Sequence, residues 1–311
     1  MAFILLIGKN GQVGTELVPL LPQLGNLVAL DRHQLDLRNP NEIRRIVRDL
    51  RPQIIVNAAA YTAVDKAETE QDIAFTVNAD ALAILAEEAN NIDAALVHYS
   101  TDYVFDGSKQ APYDETDFTN PINVYGKSKL AGESAIRQSG VLHLIFRISW
   151  VYATRGQNFL LTLLRLGSQH EELRMVRDQI GTPNWSRDIA LATASVLKQL
   201  SAGSNLLTFF EKVSGTYHMS TTGATTRFDF AQAICDELHH LPTSPPWVAA
   251  ATGNRPFILQ RIAPTTSTEF PTPAVRPLYS VLSTERLFQS LGIRLPEWRK
   301  QLHSIFADPG I

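Results

Sequence analysis

Tyrosine and lysine stand four residues apart in the stretch "INVYGKSKLAGESAI", as Tyr125 and Lys129. Four residues are about one helical turn, so both side chains emerge on one face of the helix that this stretch predicts. An ammonium near a phenol favours the phenolate and lowers the tyrosine pKa from its usual value of about 10. The pair therefore predicts a tyrosine that can donate a proton near neutral pH. The spacing alone leaves open a surface helix with a partly packed tyrosine and a solvated lysine.

A second chemical feature is the glycine-rich stretch "LIGKNGQVGTEL" near the start of the chain. Gly8, Gly11 and Gly14 follow a predicted strand and open a predicted helix. Backbone must approach a pyrophosphate closely at such a turn, where the N–H groups of the helix N-terminus face the anion. The spacing GxxGxxG differs from the GxGxxG of simple dehydrogenases, but its position predicts a dinucleotide-binding loop. A tight turn without a ligand is the alternative.

The end of the second predicted strand carries opposite charges, on Asp31 and Arg32. A carboxylate there binds the ribose hydroxyls of NAD and repels a 2′-phosphate, whereas a guanidinium can hold that phosphate. These competing signals predict some use of both NADH and NADPH. Asp36, in "LDLRNP", could approach the adenine amino group or serve as a loop or cap residue.

Short apolar strands alternate with helical patterns through the first half of the chain. The predicted strands are "AFILLIG", "NLVALD", "QIIVNAAA", "AALVHYST" and "HLIFRISWVY". The predicted helices are "QVGTELVPLLPQLG", "NPNEIRRIVRDL", "QDIAFTVNADALAILAEEANN" and the tyrosine-bearing stretch. This order predicts an α/β fold with a doubly wound parallel sheet covered on both faces. Further units, "ELRMVRD" and "SRDIALATASVLKQL", are expected to extend the sheet.

The pattern loosens after about Ser201. "SGTYHMS" predicts a strand, "RFDFAQAICDELHHL" a helix, and the final "STERLFQSLGIRLPEWRKQLHSIF" returns to helix. The Pro- and Thr-rich stretch between them could be a disordered linker. We expect an ordered, irregular lobe instead, because Trp247, Phe257, Ile258 and Phe270 need burial.

Composition excludes several classes of protein. The 311 residues are 44% hydrophobic and 19% charged, with a net charge of −3, which fits a globular protein and argues against nucleic acid or a membrane as the main partner. A single cysteine, Cys235, allows no internal disulfide and predicts a cytoplasmic setting. The start "MAFILLIG" is too short for a signal-peptide core, and no apolar run approaches the roughly 20 residues of a membrane span. The eight histidines show no metal-ligand spacing.

The glycine loop, "NAAAYT", "STDYVFDG" and "YGKSK", in this order, resemble the extended short-chain dehydrogenase/reductase family. "RPQIIVNAAAYTAVDKAE", "FRISWVYATRGQNF", "DQIGTPN" and "TPAVRP" are similar to its dTDP-4-dehydrorhamnose reductase branch over nearly the full length, more weakly after Ser201. The resemblance implies a Rossmann-type sheet and a smaller C-terminal α/β substrate lobe. It implies reduction, by NADPH or NADH, of the C4 ketone of dTDP-4-dehydro-6-deoxy-L-mannose (dTDP-4-dehydro-β-L-rhamnose) to dTDP-L-rhamnose, the last step in making that sugar nucleotide.

The resemblance also implies a division of the chain. Residues 1–150 would form the NAD(P)-binding core, with later segments, about 173–200 and 216–240, contributing to it. Residues 151–311 would form a discontinuous substrate-binding lobe and the C-terminal helices.

Roles follow for individual residues from the same resemblance. Tyr125 would be the proton donor, Lys129 would hold the nicotinamide ribose and lower the tyrosine pKa, and Thr101 would hydrogen-bond the ketone oxygen. The cofactor would also meet Gly8, Gly11, Gln12, Val13, Gly14, Asp31, Arg32, Asp36, Leu37, Ala58, Ala59, Ala60, Tyr61, Thr62 and Ser100. The sugar nucleotide would meet Val64, Thr101, Asp102, Tyr103, Trp150, Asn158 and Arg276. Trp150 could equally be a core residue and Arg276 a surface residue, while Asn78 is expected to be a buried hydrogen-bonder.

The chain departs from the family pattern at two places. Some members are dimers bridged by Mg²⁺ on glutamates; Glu16 fits one such position, but Arg187 stands where another glutamate is expected. A cation there would repel the metal, so we predict no metal and leave a monomer or a homodimer open. Tyr279 stands where asparagine is expected, at the junction of the lobes.

Two rival functions remain to be compared. A nucleotide-sugar dehydratase would carry Thr-Asp-Glu after the fourth strand, whereas this chain reads Thr101-Asp102-Tyr103. An epimerase of the same family would have to retain NAD tightly and return the hydride to the other face of the sugar. Another nucleotide-sugar reductase of the family is a further alternative. A catalytically silent regulatory subunit is the rival from another class, although all the catalytic residue types are present.

Overall fold

A parallel sheet forms the centre of the molecule. The computed structural model describes residues 2–199, 206–241 and 243–308. The strands are β1 (Ala2–Ile7), β2 (Gly25–Leu30), β3 (Ile54–Asn57), β4 (Ala95–Thr101), β5 (His143–Ile148), β6 (Val151–Tyr152), β7 (Glu172–Val176), β8 (Ile180–Gly181), β9 (Asn184–Trp185), β10 (Gly215–His218), β11 (Thr225–Thr226) and β12 (Arg261–Thr265). Six of them make one parallel sheet in the order β10-β5-β4-β3-β1-β2. The predicted Rossmann-type α/β fold is confirmed.

Helices cover both faces of this sheet. They are α1 (Gln12–Leu17), α2 (Pro40–Leu50), α3 (Val64–Ala67), α4 (Gln71–Phe75), α5 (Ala81–Asn91), α6 (Val124–Gln138), α7 (Phe159–Gly167), α8 (Ser186–Lys198), α9 (Leu206–Val213), α10 (Arg227–His240), α11 (Pro246–Thr252), α12 (Glu285–Leu291) and α13 (Trp298–Ala307). Along β1, Ile4 and Leu6 join one hydrophobic cluster while Leu5 and Ile7 join another. Side chains alternate across a strand, so this split means that both faces of the sheet are buried.

Local signals set several helix boundaries as predicted. The Asn39 side chain accepts a hydrogen bond from the Glu42 N–H at 3.3 Å, and Pro40 occupies the first position of α2. Helix α1 ends at Leu17, before Pro19.

The long helix predicted over residues 71–91 is interrupted by a π-helical turn, Thr76–Asp80. Asn78 in this turn is buried; its amide bonds the Tyr61 backbone and the Ser128 hydroxyl, as expected for a structural hydrogen-bonder. Gly132 of α6 packs against the same turn, where a Cβ would lie only 2.0 Å from the Asn78 carbonyl oxygen. These contacts fix α6, which carries Tyr125 and Lys129, against the sheet.

The structure corrects the order of strands in the second half. The stretch "ELRMVRD" forms β7, which pairs with β12 in a separate two-stranded sheet and does not extend the central one. The strand that does extend it is β10, within the predicted "SGTYHMS", because it lies parallel to β5. The predicted fifth strand also breaks after Ile148, and its end pairs with β9 as β6.

The Pro- and Thr-rich stretch is ordered but less buried than predicted. It contains α11 and β12, and Trp247 is buried in a third hydrophobic cluster with residues of α7, α10 and α13. Ile258 and Phe270, in contrast, are 37% and 50% exposed. Among the described residues, none of the helices has both the length and the apolar character needed to cross a membrane.

Candidate functional site

A cleft of about 810 Å³ opens at the carboxyl ends of the central strands. Ligands of doubly wound sheets bind at this edge. Among the predicted site residues, those that line the cleft are Gly8, Gly11, Gln12, Val13, Asp31, Arg32, Asp36, Leu37, Ala58, Ala59, Ala60, Tyr61, Thr62, Val64, Ser100, Thr101, Asp102, Tyr103, Tyr125, Lys129 and Trp150. The three that lie outside its lining are Gly14, Asn158 and Arg276.

The glycine loop is shaped by close backbone contacts. Gly8 has a φ of +87°, and a Cβ there would lie 2.7 Å from the Ala59 nitrogen, so no other residue fits. A Cβ on Gly14 would lie 2.0 Å from the Gly8 carbonyl oxygen. Gly14 therefore serves the packing of α1 onto the turn, whereas Gly11 lines the cleft.

The acidic end of β2 is held by local hydrogen bonds. The Asp31 carboxylate accepts from the His33 N–H at 3.0 Å and from the Asn10 amide at 3.2 Å, with Lys9 Nζ 3.5 Å away. The Asp36 carboxylate forms an ion pair of 2.6 Å with Arg38, which holds the pKa of Asp36 at about 2. Arg38 also lines the cleft and was not predicted as a site residue.

Tyr61 lies at the rim of the cleft and is tied down at its hydroxyl. Its OH donates to Glu70 Oε2 at 2.7 Å. Burial and this carboxylate raise the pKa of Tyr61 to about 12, so the phenol stays protonated.

Ser100 has a structural partner beneath the cleft. Its hydroxyl donates to Glu133 Oε1 at 2.6 Å, and Arg147 Nη2 lies 2.7 Å from Glu133 Oε2. All three side chains are buried. Burial alone would raise the pKa of Glu133, but Arg147, Ser100 and Arg137 outweigh it and lower that pKa to about 2. The charged cluster fastens α6 to β4 and β5.

The turn at the end of β4 is held by hydrogen bonds to Thr101 and Asp102. The Thr101 Oγ1 accepts from the Tyr103 N–H at 3.1 Å and donates to the Asp102 carboxylate at 3.2 Å. The Tyr103 ring packs edge-on against Tyr125, with the ring centroids 5.9 Å apart. Asp102 is buried, and its other oxygen accepts from Ser149 at 3.0 Å. The polar atoms of this turn are thus oriented before any ligand arrives.

The electrostatics of Tyr125 and Lys129 depart from the sequence expectation. Burial raises the pKa of Tyr125, and a hydrogen bond with Thr101 lowers it to a lesser extent. Burial also lowers the pKa of Lys129 to about 7. The Lys129 Nζ lies 2.6 Å from the Tyr99 carbonyl oxygen and 2.9 Å from His98 Nε2. The lysine shares a cleft with the tyrosine, but its hydrogen bonds go to the backbone and the imidazole of β4.

Arg227 is a cleft residue that the sequence interpretation missed. It opens α10, and its guanidinium carbon lies 3.6 Å from the centroid of the Trp150 ring. The same indole also packs against Gly181, where a Cβ would lie 2.4 Å from Trp150 Cε2. Trp150 itself has a φ of +40°, which is unusual for a bulky residue. A cation in the first turn of a helix is unfavourable to the helix dipole, and this was the available signal in the sequence.

Two predicted substrate residues, Asn158 and Arg276, have partners within the protein. The Asn158 side chain caps α7, accepting from the Leu161 N–H at 3.1 Å, while its amide nitrogen donates to Gln12 and to two backbone carbonyls. Arg276 forms an ion pair of 2.7 Å with Asp65 of α3. Both side chains thus join segments that are far apart in the sequence.

Glu16, which the family resemblance places at a possible metal position, forms an ion pair with Arg187. Arg187 Nε lies 2.9 Å from Glu16 Oε2, and Arg187 Nη1 lies 2.8 Å from Asp308. Within the described part of the chain, no group of three or more His, Cys, Asp or Glu side chains is arranged to hold a metal.

Comparison with known proteins agrees with this geometry. The family model described as the RmlD substrate binding domain matches residues 1–309. A dTDP-4-dehydrorhamnose reductase of Burkholderia thailandensis is 45% identical, with 95% of each chain covered, and one of Escherichia coli K12 is 42% identical, with 99% of each covered. The crystal structure of a Bacillus anthracis dTDP-4-dehydrorhamnose reductase in complex with NADP is 32% identical, covers 99% of each chain and has a TM-score of 0.83. This chain belongs to the dTDP-4-dehydrorhamnose reductase family, the family of the RmlD substrate binding domain.

Proposed function

We propose that this protein reduces the C4 ketone of dTDP-4-dehydro-6-deoxy-L-mannose with NADPH or NADH to give dTDP-L-rhamnose, the last step in making that sugar nucleotide. The observation that carries the proposal is the pair of hydroxyl groups of Thr101 and Tyr125. Both side chains line one cleft that begins at a dinucleotide-type glycine loop, and the Thr101 hydroxyl acts to lower the pKa of Tyr125. A ketone placed beside them could accept hydrogen bonds from both hydroxyl groups, the single O–H of Thr101 then turning away from Asp102.

The residues at the glycine-loop end of the cleft fit a dinucleotide. The approach of Gly8 to Ala59 leaves no room for a Cβ, so the loop stays open to a pyrophosphate. Asp31 would bind the adenosine ribose, and Arg32 and Arg38 would supply positive charge for a 2′-phosphate. When bound, the nicotinamide supplies the hydride.

The protein's own groups handle the proton and the developing charge. Hydride addition places negative charge on the C4 oxygen, which the hydroxyl groups of Tyr125 and Thr101 would stabilise. Tyr125 would then transfer its proton to that oxygen. The buried Asp102 accepts a hydrogen bond from Thr101. Lys129 would hold the ribose of the cofactor and, as an ammonium, stabilise the phenolate that remains.

The sugar nucleotide would occupy the part of the cleft near Trp150. Tyr103 and Val64 would contact the sugar, and Trp150 would close the pocket over its 6-deoxy group. We add Arg227 to this set, because its guanidinium stacks on Trp150 and faces the cleft, where the diphosphate of the substrate would find a planar cation.

The division of the chain that we propose follows the hydrophobic clusters. Residues 1–150, with segments such as α8 and β10, would form the cofactor-binding core. The third cluster, built from α7, α10, α11 and α13, would be the core of the substrate lobe. We further propose a cytoplasmic enzyme acting as a monomer or a homodimer, without a metal.

The decisive experiment is NADPH oxidation with enzymatically prepared dTDP-4-dehydro-L-rhamnose. Tyr125→Phe is expected to lower kcat by about 10²–10⁴-fold while leaving NADPH binding intact. Tyr217→Phe is the matched control, because that buried hydroxyl bonds the Val213 carbonyl outside the cleft and its loss should not change turnover. Near wild-type turnover by Tyr125→Phe would refute the proposed chemistry. Tightly retained NAD with epimerase activity would point instead to the rival enzyme class.

A further inference from the structure

His98 is a buried residue beside the catalytic lysine, and the proposed mechanism gives it no role. It lies on β4, is 1% exposed, and its Nε2 stands 2.9 Å from Lys129 Nζ. The Tyr99 carbonyl oxygen lies 2.6 Å from the same nitrogen. An ammonium has three N–H donors, so these two contacts leave one donor with no hydrogen-bond partner in the described part of the chain.

The imidazole is suited to accept rather than to donate at Nε2. Burial and the charge of Lys129 lower the pKa of His98 far below its usual range, so the ring is neutral. A neutral imidazole has one N–H and one acceptor nitrogen. Its Nδ1 lies 3.3 Å from the Asn57 side-chain amide nitrogen, and the Asn57 backbone acts to raise the pKa of His98. Because an ammonium can only donate, a charged Lys129 at 2.9 Å requires the lone pair on Nε2 and therefore the ring proton on Nδ1.

We propose that His98 is a positioning residue for the reaction: it accepts a hydrogen bond from the Lys129 ammonium through Nε2, and with the Tyr99 carbonyl it directs the remaining N–H of that ammonium into the cleft. The consequence for catalysis rests on the proposed function, in which Lys129 must be charged.

The proposed role predicts that activity depends on pH, because burial disfavours the charged form of Lys129. On its own helix, Glu133 favours the ammonium, but Arg147 from β5 neutralises that carboxylate through an ion pair. Tyr125 on the same helix is protonated, and Asn57 on β3 is uncharged. His98 and the Tyr99 carbonyl on β4 are therefore the direct partners that offset desolvation of the ammonium, and removing the imidazole should lower the proton affinity of Lys129.

The first test needs no substrate. In ¹⁵N-labelled protein, the His98 resonances should show a protonated Nδ1 and an unprotonated Nε2, with His98→Gln identifying the signals. A protonated Nε2 would overturn the proposal, because that tautomer donates to Lys129 and would require a neutral amine. In the same preparations, the ¹⁵Nζ resonance of Lys129 should titrate at lower pH in His98→Phe than in wild type and recover in His98→Gln, whose amide oxygen can accept. An unchanged titration in His98→Phe would also overturn it.

The second test is the pH profile of ketosugar reduction. His98→Phe should lose several-fold more kcat/KM at about pH 8 than at about pH 6, because a further lowering of the Lys129 pKa reduces the ammonium fraction most on the alkaline side. His98→Gln should restore the alkaline side of the profile. An equal loss at both pH values would mean that His98 only supports the fold. Since the NMR titrations are independent of turnover, a failure of the proposed reaction would be seen separately from a failure of this inference.

Discussion

The guanidinium of Arg227 lies over the indole of Trp150, with its central carbon 3.6 Å from the ring centroid. Two elements that are distant in the sequence meet here, the loop between β5 and β6 and the start of α10. Burial lowers the pKa of Arg227, whereas Tyr103 and Asp102 act to raise it. A partly desolvated cation favours an opposite charge, so an anion that enters the cleft should be bound strongly at this point.

The stacked guanidinium predicts a specific effect on substrate affinity. Arg227→Gln should raise the KM for the dTDP-ketosugar by about tenfold or more and leave the KM for NADPH unchanged, because it removes the planar cation. Arg227→Lys should recover only part of the affinity, since an ammonium keeps the charge but not the bidentate geometry. Steady-state kinetics with each substrate varied in turn would measure both values. Equal increases in both KM values would contradict this assignment.

The contact between Gly181 and Trp150 predicts that a methyl group at residue 181 disturbs the substrate pocket. In Gly181→Ala the new Cβ would meet the indole at 2.4 Å and force it to move, at a cost of about 1–3 kcal/mol in stability. Gly167→Ala is the matched control, because its Cβ would meet the Phe257 ring at 2.3 Å outside the cleft lining. Thermal unfolding should show losses for both variants, but the KM for the ketosugar should rise only in Gly181→Ala.

The glycine loop predicts different outcomes for two neighbouring substitutions. Gly14→Ala would place a Cβ 2.0 Å from the Gly8 carbonyl oxygen, so the free energy of unfolding should fall by about 3 kcal/mol or more. In Gly11→Ala the new Cβ would lie 3.3 Å from the Gly8 carbonyl oxygen, and residue 11 lines the cleft. That variant should fold and raise the KM for NADPH by about tenfold. Urea unfolding and NADPH titration would distinguish them; a stable Gly14→Ala protein would show that the packing argument is wrong.

The buried cluster around Glu133 predicts a large and pH-dependent loss of stability. Glu133→Gln removes the charge that pairs with the buried Arg147, so unfolding should become easier by about 3–5 kcal/mol. Glu87→Gln, which breaks an exposed pair with Arg44, should change stability by less than about 1 kcal/mol.

The sign of the pH effect follows from the lowered pKa of Glu133. The carboxylate stabilises the fold fully above its unfolded pKa of 4.5, and this contribution is lost as pH falls through about 2. Wild type should therefore lose stability between these values by more than Glu133→Gln does. Parallel slopes of the two proteins in urea unfolding across this range would exclude the assignment.

The buried Lys129 predicts a trade between activity and stability. Lys129→Met should abolish turnover and stabilise the protein, on the order of 1–2 kcal/mol at neutral pH, because an apolar side chain replaces a desolvated amine. The folded pKa of about 7 lies below the model-peptide value of 10.5, so the folded protein binds fewer protons than the unfolded chain between these values. Wild-type stability should thus gain from Lys129 as pH rises from about 7, and the variant should lack that gain. A destabilised Lys129→Met protein would mean that the hydrogen bonds to His98 and Tyr99 outweigh desolvation.

The sequence by itself determined the framework of the central sheet and most of its cleft. Apolar strands alternating with amphipathic helices require a parallel sheet, and parallel strands place their carboxyl ends at one edge. Residues at or directly after the ends of strands, such as Gly8, Asp31, Ala58 and Thr101, could therefore be assigned to that edge without coordinates. Capping residues such as Asn39 acted through their nearest neighbours, and such local interactions can be predicted from spacing alone.

Only the tertiary structure decided which groups act on one another across the sequence. Periodicity on α6 placed Tyr125 and Lys129 on one face, but the partners of the lysine come from β4 and the burial of both groups comes from the whole sheet. The pKa of Tyr125 is consequently raised where the sequence predicted a lowered value. The pairing of β10 with β5 and the contact of Arg227 with Trp150 could likewise not be predicted from the sequence. A pairing between distant segments depends on the packing of everything between them.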